Sequence, residues 1–179
     1  MNKIFCREKL EIEIHHHPHH QSLNEKLMDD LSKFCFISHK DNSHFTNIRG
    51  SQFNFTGNQL NLKPKGVILI ENWVEQIVRD ITHNSLIDLI FNSWAARLDK
   101  GQETLEHSHL HFCSLVYVYF VNTPKGSSPL VFPTSGKKVK AESGKLVLFP
   151  SSLRHKVPVN KCNNRVTIAS NINIQERFM

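Results

Sequence analysis

The second half of the chain is a series of short β-rich segments with no helical pattern between them. Leu86–Leu98, Ser114–Asn122, Leu130–Phe132, Lys145–Phe149 and Arg165–Asn173 are rich in Val, Ile, Phe and Tyr. Turn signals separate them at Asp99-Lys100-Gly101, Pro124-Lys125-Gly126, Ser135-Gly136 and Asn163-Asn164. Closely spaced strands without intervening helices indicate an all-β sandwich or barrel.

The first half reads differently. Ile4, Leu10, Ile12 and Ile14 alternate roughly, and suggest a strand over residues 3–14. Ser22 with Glu25 three residues on forms a capping-box pattern. Leu23, Leu27, Leu31 and Phe34 then recur at helical spacing, which predicts an amphipathic helix over 22–35. Val74, Ile77, Val78 and Ile81 predict a second helix over 70–83. A polar stretch with a turn at Arg49-Gly50 lies between them. At 179 residues the chain suits one domain. Residues 1–85 would support a β core at 86–179.

Charge, apolar content and cysteine placement narrow the function class. No apolar run approaches the roughly 20 residues of a membrane helix, and the first residues show no signal-peptide stretch. Cys6, Cys35, Cys113 and Cys162 are scattered with no C-x-x-C pair, which speaks against a zinc ribbon. Scattered thiols fit a reducing cytoplasm, that of a host if the protein is viral. The net charge of +6 comes from basic residues spread along the chain, apart from Lys137-Lys138-Val139-Lys140. A solvated basic surface is expected, and nucleic acid is not indicated. The run His15-His16-His17-Pro18-His19-His20 has no fixed mutual geometry around its proline and reads as a loop.

The chemistry concentrates in three later segments. Gly101-Gln-Glu-Thr-Leu-Glu106-His107-Ser108-His109-Leu110-His111 precedes an apolar strand. On a strand, residues i and i+2 share a face about 6.6 Å apart, so two imidazoles at that spacing can converge on one ion. His107 with His109, or His109 with His111, fits this, and one histidine is spare. Gly144-Lys-Leu-Val-Leu-Phe-Pro150-Ser-Ser-Leu-Arg-His155 carries an apolar strand into a proline turn and delivers another histidine. Arg165-Val166-Thr167 then sets a cation and a hydroxyl on one strand face. An arginine within an apolar strand is costly without an anion; either a protein carboxylate or a ligand carboxylate would satisfy it.

Together these segments resemble the iron- and 2-oxoglutarate-dependent oxygenases, whose jelly-roll core is shared with cupins. Gly101-x5-His107-x-His109 and Gly144-x5-Pro150-x4-His155 have the spacing of the two cupin motifs. Arg165-x-Thr167, the strand from Asn92-Ser93-Trp94 to Gly101, and the strand Ser114–Tyr119 are closer to the oxygenases, and to an uncharacterised branch in phages and marine bacteria. The likeness covers residues 90–173. It implies a mainly β double-stranded β-helix (jelly roll) with two flanking N-terminal helices. His107 and His155 would be Fe(II) ligands, with His109 standing where most of these oxygenases have an aspartate or glutamate. Arg165 and Thr167 would bind the distal carboxylate of 2-oxoglutarate, helped by Tyr117 or Tyr119. Dioxygen would be the second cosubstrate, and nothing in the sequence names the primary substrate. Three histidines also fit a cupin-like metalloprotein, either a dioxygenase that uses no 2-oxoglutarate or a small-molecule binder, and a binding protein with a decayed site is a third alternative.

Overall fold

The computed structural model describes residues 10–39, 47–55, 63–84 and 86–176. In chain order its elements are β1 (Glu13–His16), α1 (His20–Ser32), β2 (Ile37–Ser38), β3 (Ile48–Arg49), β4 (Ser51–Asn54), α2 (Lys65–Thr82), β5 (Ile87–Leu98), β6 (Glu103–His107), β7 (Leu115–Asn122), β8 (Leu130–Phe132), β9 (Lys137–Val139), β10 (Lys145–Pro150), β11 (His155–Val157) and β12 (Arg165–Glu176). Among the described residues they form two sheets, one ordered β1-β10-β7-β12-β5-β4-β2 and the other β3-β6-β11-β8-β9. All pairings are antiparallel. This is a mainly β jelly roll with two helices, as the motifs implied. Three strands of the larger sheet, β1, β2 and β4, come from the part of the chain before residue 86.

The larger sheet has apolar matter on both faces, which explains why β7 is buried at six successive positions. Its odd positions, Tyr117, Tyr119 and Val121, join a core with Leu23, Leu27 and Leu31 of α1 and Val67, Ile70 and Val74 of α2. Its even positions, Val116, Val118 and Phe120, face the smaller sheet and pack with Leu130, Phe132, Phe149 and Val157. The period of two therefore sorts each strand into a helix side and an inter-sheet side. β12 runs beside β5 from Arg165–Leu98 to Glu176–Ile87 and so places Arg165, Thr167 and Ala169 on the inter-sheet side.

Both helices lie on the outer face of the larger sheet. α1 begins two residues earlier than its capping-box pattern suggests. No side chain caps it, and the Ser22 hydroxyl donates to the His19 carbonyl instead. α2 is five residues longer at its N-terminus than the apolar spacing predicts, starting after Pro64. Its buried Glu71 accepts from the Lys63 ammonium at 2.7 Å and from the Ser93 hydroxyl at 2.6 Å, so the carboxylate is paired within the packed layer.

The histidine run is only partly a loop. His15 and His16 belong to β1, which pairs with β10, and His20 opens α1. His17 stands edge-on to Trp73, ring centroids 4.9 Å apart. Gly144, at φ +84°, lies against the His20 side chain where any Cβ would collide, and its carbonyl accepts from His17 N. The strand expected over 3–14 falls partly on residues outside the described ones; Glu13 begins the strand that is seen.

Candidate metal centre and its cavity

β6 and β11 are neighbours in the smaller sheet, and their register sets His107 opposite His155. Their ring centroids are 4.3 Å apart. β6 stops at His107, so His109 does not reach the site by strand alternation. It sits in the following turn, its backbone N–H donating to the Ser151 carbonyl at 2.9 Å. Its ring stacks on His155 with centroids 5.2 Å apart and lies near-parallel to Trp94 at 6.3 Å. One ligand-capable atom from each of the three histidines falls within 4.8 Å of the other two, and among the described residues no other group of His, Cys, Asp or Glu gathers in this way. His111 is exposed and takes no part.

The hydrogen bonds prepare these rings as ligands. His107 Nδ1 lies 2.7 Å from the Leu105 carbonyl and His155 Nδ1 3.0 Å from the Leu153 carbonyl. A carbonyl only accepts, so Nδ1 carries the proton and Nε2 keeps its lone pair. Burial, then the nearby His107, pushes His155 down to about 3 and His109 down to about 4. Burial also lowers His107. All three are therefore neutral near pH 7, the state a metal requires. Three imidazoles so gathered fit a divalent transition metal that favours nitrogen.

The histidines line one side of a cavity of about 340 Å³ between the two sheets. Leu98, Val116, Val118, Leu130 and Val157 form its apolar walls. Arg165 and Thr167 line it from β12. Arg165 is 2% exposed, yet among the described residues no carboxylate pairs with it. Its Nε donates to the Ser128 carbonyl at 3.1 Å, and the guanidinium carbon sits 5.3 Å from the centre of the Phe120 ring. Its Nη2 is buried with no hydrogen-bond partner among the described residues. Burial lowers its pKa to about 10, so it remains a cation at neutral pH. A buried cation on a residue that lines a cavity, with a donor unpaired among the described residues, is suited to receive an anion.

Tyr117 and Tyr119 are not brought to this cavity. Both point to the helix side of the larger sheet, where the Tyr119 hydroxyl donates to Asn24 Oδ1 at 2.8 Å. Their odd positions in β7 require this once Val116 and Val118 face inward. Instead, Asn47 and Ile48, with Gln52 and Asn54 from β4, reach the cavity, as do Asn92 and Trp94 of β5. The sequence offered no signal for the first four beyond their place in a polar stretch. Asn92 and Trp94 share the period-two face of β5 with Leu98.

No family model matches the chain, and no curated protein matches it in sequence. Solved structures match its fold. A prolyl-4-hydroxylase of Pseudomonas putida superposes with a TM-score of 0.71 at 14% identity, covering 93% of each chain. This chain has the fold of the iron- and 2-oxoglutarate-dependent oxygenases. The viral collagen prolyl hydroxylase of Paramecium bursaria Chlorella virus-1, in its 2-oxoglutarate complex, matches with a TM-score of 0.66 at 16% identity over 90% of this chain and 94% of its own. HygX of Streptomyces hygroscopicus, with nickel and 2-oxoglutarate bound, matches with a TM-score of 0.65 at 13% identity over 90% of this chain and 82% of its own.

Proposed function

We propose that the protein is an Fe(II)- and 2-oxoglutarate-dependent oxygenase. The observation that carries this reading is Arg165, a buried guanidinium whose Nη2 has no partner among the described residues, lining the same small cavity as three gathered, neutral histidines. A metal site alone would need no such cation. A dicarboxylate that meets a metal at one end and a guanidinium at the other accounts for both. The oxygenase fold supports the same reading, and Arg165 disfavours the cupin-like alternative without a keto acid.

His107, His109 and His155 would hold the iron, with Nε2 of His107 and His155 left free by their Nδ1 bonds to backbone. Bound there, iron would supply the redox chemistry that converts 2-oxoglutarate, dioxygen and a C–H bond into succinate, carbon dioxide and a hydroxylated product. Arg165 would take the distal carboxylate of the keto acid in charge-assisted hydrogen bonds, and Thr167, two residues on along the same face, would add a hydroxyl donor. The apolar walls would exclude water and strengthen both contacts.

The test is cosubstrate turnover. Purified protein supplied with Fe(II), 2-oxoglutarate and oxygen is expected to release succinate, at least slowly without a primary substrate. Absence of both succinate and keto-acid binding to the metal-loaded protein would sink the reading.

A further inference from the structure

The cavity has two chemically different ends, and the register of β5 against β12 orders them. Cα pairing sets Arg165 beside Leu98, Ala169 beside Trp94 and Asn171 beside Asn92, with about 6.6 Å of rise for every two residues. Arg165 and Thr167 are buried at one end. Trp94, whose ring lies near-parallel to that of His109, comes next along the same face. Beyond it Asn92 lines the cavity and is exposed, as are Asn47 and Asn54. The cavity therefore opens past the histidines, on the side away from Arg165. β4 brings Gln52 and Asn54 to this mouth, with Asn54 the Cα partner of Trp94.

The mouth is polar without being charged. Among the described residues the cavity wall holds no Asp, Glu or Lys, and its one cation, Arg165, sits at the far end. A charged substrate group would find no counter-charge at the mouth. Carboxamides instead offer a donor and an acceptor on one planar group. Gln52 Nε2 donates to Asn54 Oδ1 at 2.6 Å, which leaves Gln52 Oε1 and Asn54 Nδ2 for a ligand. Asn171, on the cavity face of β12, has a buried Oδ1 with no partner among the described residues.

From this, and resting on the oxygenase reading, we propose that the primary substrate is an uncharged polyhydroxylated ring, a neutral saccharide residue. Gln52, Asn54, Asn92 and Asn171 hold its hydroxyls at the mouth, and Trp94 packs against its C–H groups. A hydroxyl both donates and accepts, so neighbouring hydroxyls match a row of carboxamides in either orientation. Indole adds apolar surface for the ring. The reaction also needs an aliphatic C–H bond, which a saccharide presents at every ring carbon and an unmethylated nucleobase lacks. One atom of dioxygen enters that C–H bond as a hydroxyl, and the other enters succinate as the keto acid loses carbon dioxide. A peptide would bring an extended backbone, which pairs with open strand edges rather than with side chains between two sheets. The volume of about 340 Å³ has to house the keto acid as well, so one ring enters and any attached group stays outside.

The experiment uses calorimetry on protein loaded with Ni(II) and 2-oxoglutarate, a state that holds the site without turnover. The probes are the methyl glycosides of glucose, galactose, mannose and N-acetylglucosamine. Glucuronic acid, glucosamine, adenosine and a neutral blocked tripeptide serve as comparators. At least one neutral glycoside is expected to bind about tenfold or more tightly than every comparator, and to speed succinate release when Fe(II) and oxygen replace nickel. Asn54→Leu and Asn92→Leu keep side-chain size and remove the hydrogen bonds, so each should weaken that glycoside by about tenfold. Both variants should still take up the keto acid, which reports that the cavity has formed. If either does not, the selectivity of the wild type decides. Keto-acid binding with no glycoside binding, or tighter binding of any comparator, would overturn the proposal and leave the oxygenase reading intact. So would unchanged glycoside affinity in both variants. No keto-acid binding to nickel-loaded wild type would overturn both.

Discussion

His107 and His155 are Cα partners across the β6–β11 pair, and their rings meet at a centroid distance of 4.3 Å. Each ring is held by a bond from Nδ1 to the carbonyl two residues earlier in its own chain. Two strands from distant parts of the sequence thus present matched imidazoles, with Nε2 free on both, before any ion arrives.

That pairing makes the first prediction. His107→Ala or His155→Ala should weaken Zn(II) or Ni(II) binding by at least about a hundredfold, because a prepared ligand is lost and the described residues of the cavity offer no substitute. The thermal midpoint of the wild type should rise on adding metal, since an ion that binds only the folded state stabilises it. The same addition should leave the His155→Ala midpoint unmoved. An equal rise in both would show that the metal binds elsewhere.

Arg165→Met separates binding from stability. The substitution removes a buried guanidinium whose Nη2 has no partner among the described residues and replaces it with an apolar chain of similar reach. The folded protein without ligands should be no less stable than wild type, whereas affinity for 2-oxoglutarate should fall by about 2 kcal/mol or more. Metal affinity in the absence of the keto acid should not fall. Unchanged keto-acid binding would mean that Arg165 serves the fold alone.

The placement of Tyr119 behind the sheet is tested by Tyr119→Phe. The hydroxyl bonded to Asn24 is lost and Asn24 Oδ1 is left unpaired in a buried setting, which should cost about 1 kcal/mol in a denaturant titration. 2-Oxoglutarate affinity should match wild type. A variant of normal stability with weakened keto-acid binding would contradict this placement.

A pH effect is expected at Glu142. Hydrogen bonds from the Lys140 and Lys145 ammonium groups, at 2.8 and 2.7 Å, hold its carboxyl down at about 2. A depressed carboxyl stabilises the fold above its unfolded value of about 4.3, and this contribution is lost as pH falls toward the folded value. The stability difference between wild type and Glu142→Gln should therefore be full at pH 6, shrink below about pH 4.3 and vanish near pH 2. Because Glu142 and Lys140 are exposed to solvent, added salt should shrink the difference as well, with the buried Lys145 screened least. Urea midpoints measured across that range would check both trends, and a difference independent of pH would refute the pairing.

Local pattern alone was enough to place the main strands and the two helices. Leu130–Phe132 is read at its bounds, and β5, β7 and β10 to within a residue, because each is a β-branched or aromatic run closed by turn residues. Short strands such as β3, β6 and β11 carry no such run and exist because a neighbour supplies their hydrogen bonds. The likeness of the His107, His155 and Arg165 segments to a known motif order identified three residues that share the cavity. Tyr117 and Tyr119 were misplaced because a strand buried on both faces shows no alternation by which its two sides can be told apart.

Sequence by itself determined which residue types could bind a metal and an anion, and which stretches would be strands. It also determined that His107 and His109 are close along the chain. Only the tertiary structure decided that His155 joins them, since that depends on the register of β11 against β6, which hydrogen bonding between separate strands sets. It also decided that His109 arrives from a turn and that Arg165 has no carboxylate partner among the described residues. Whether a buried cation is paired is a property of every chain segment that packs around it, and only the assembled sheets bring those segments together.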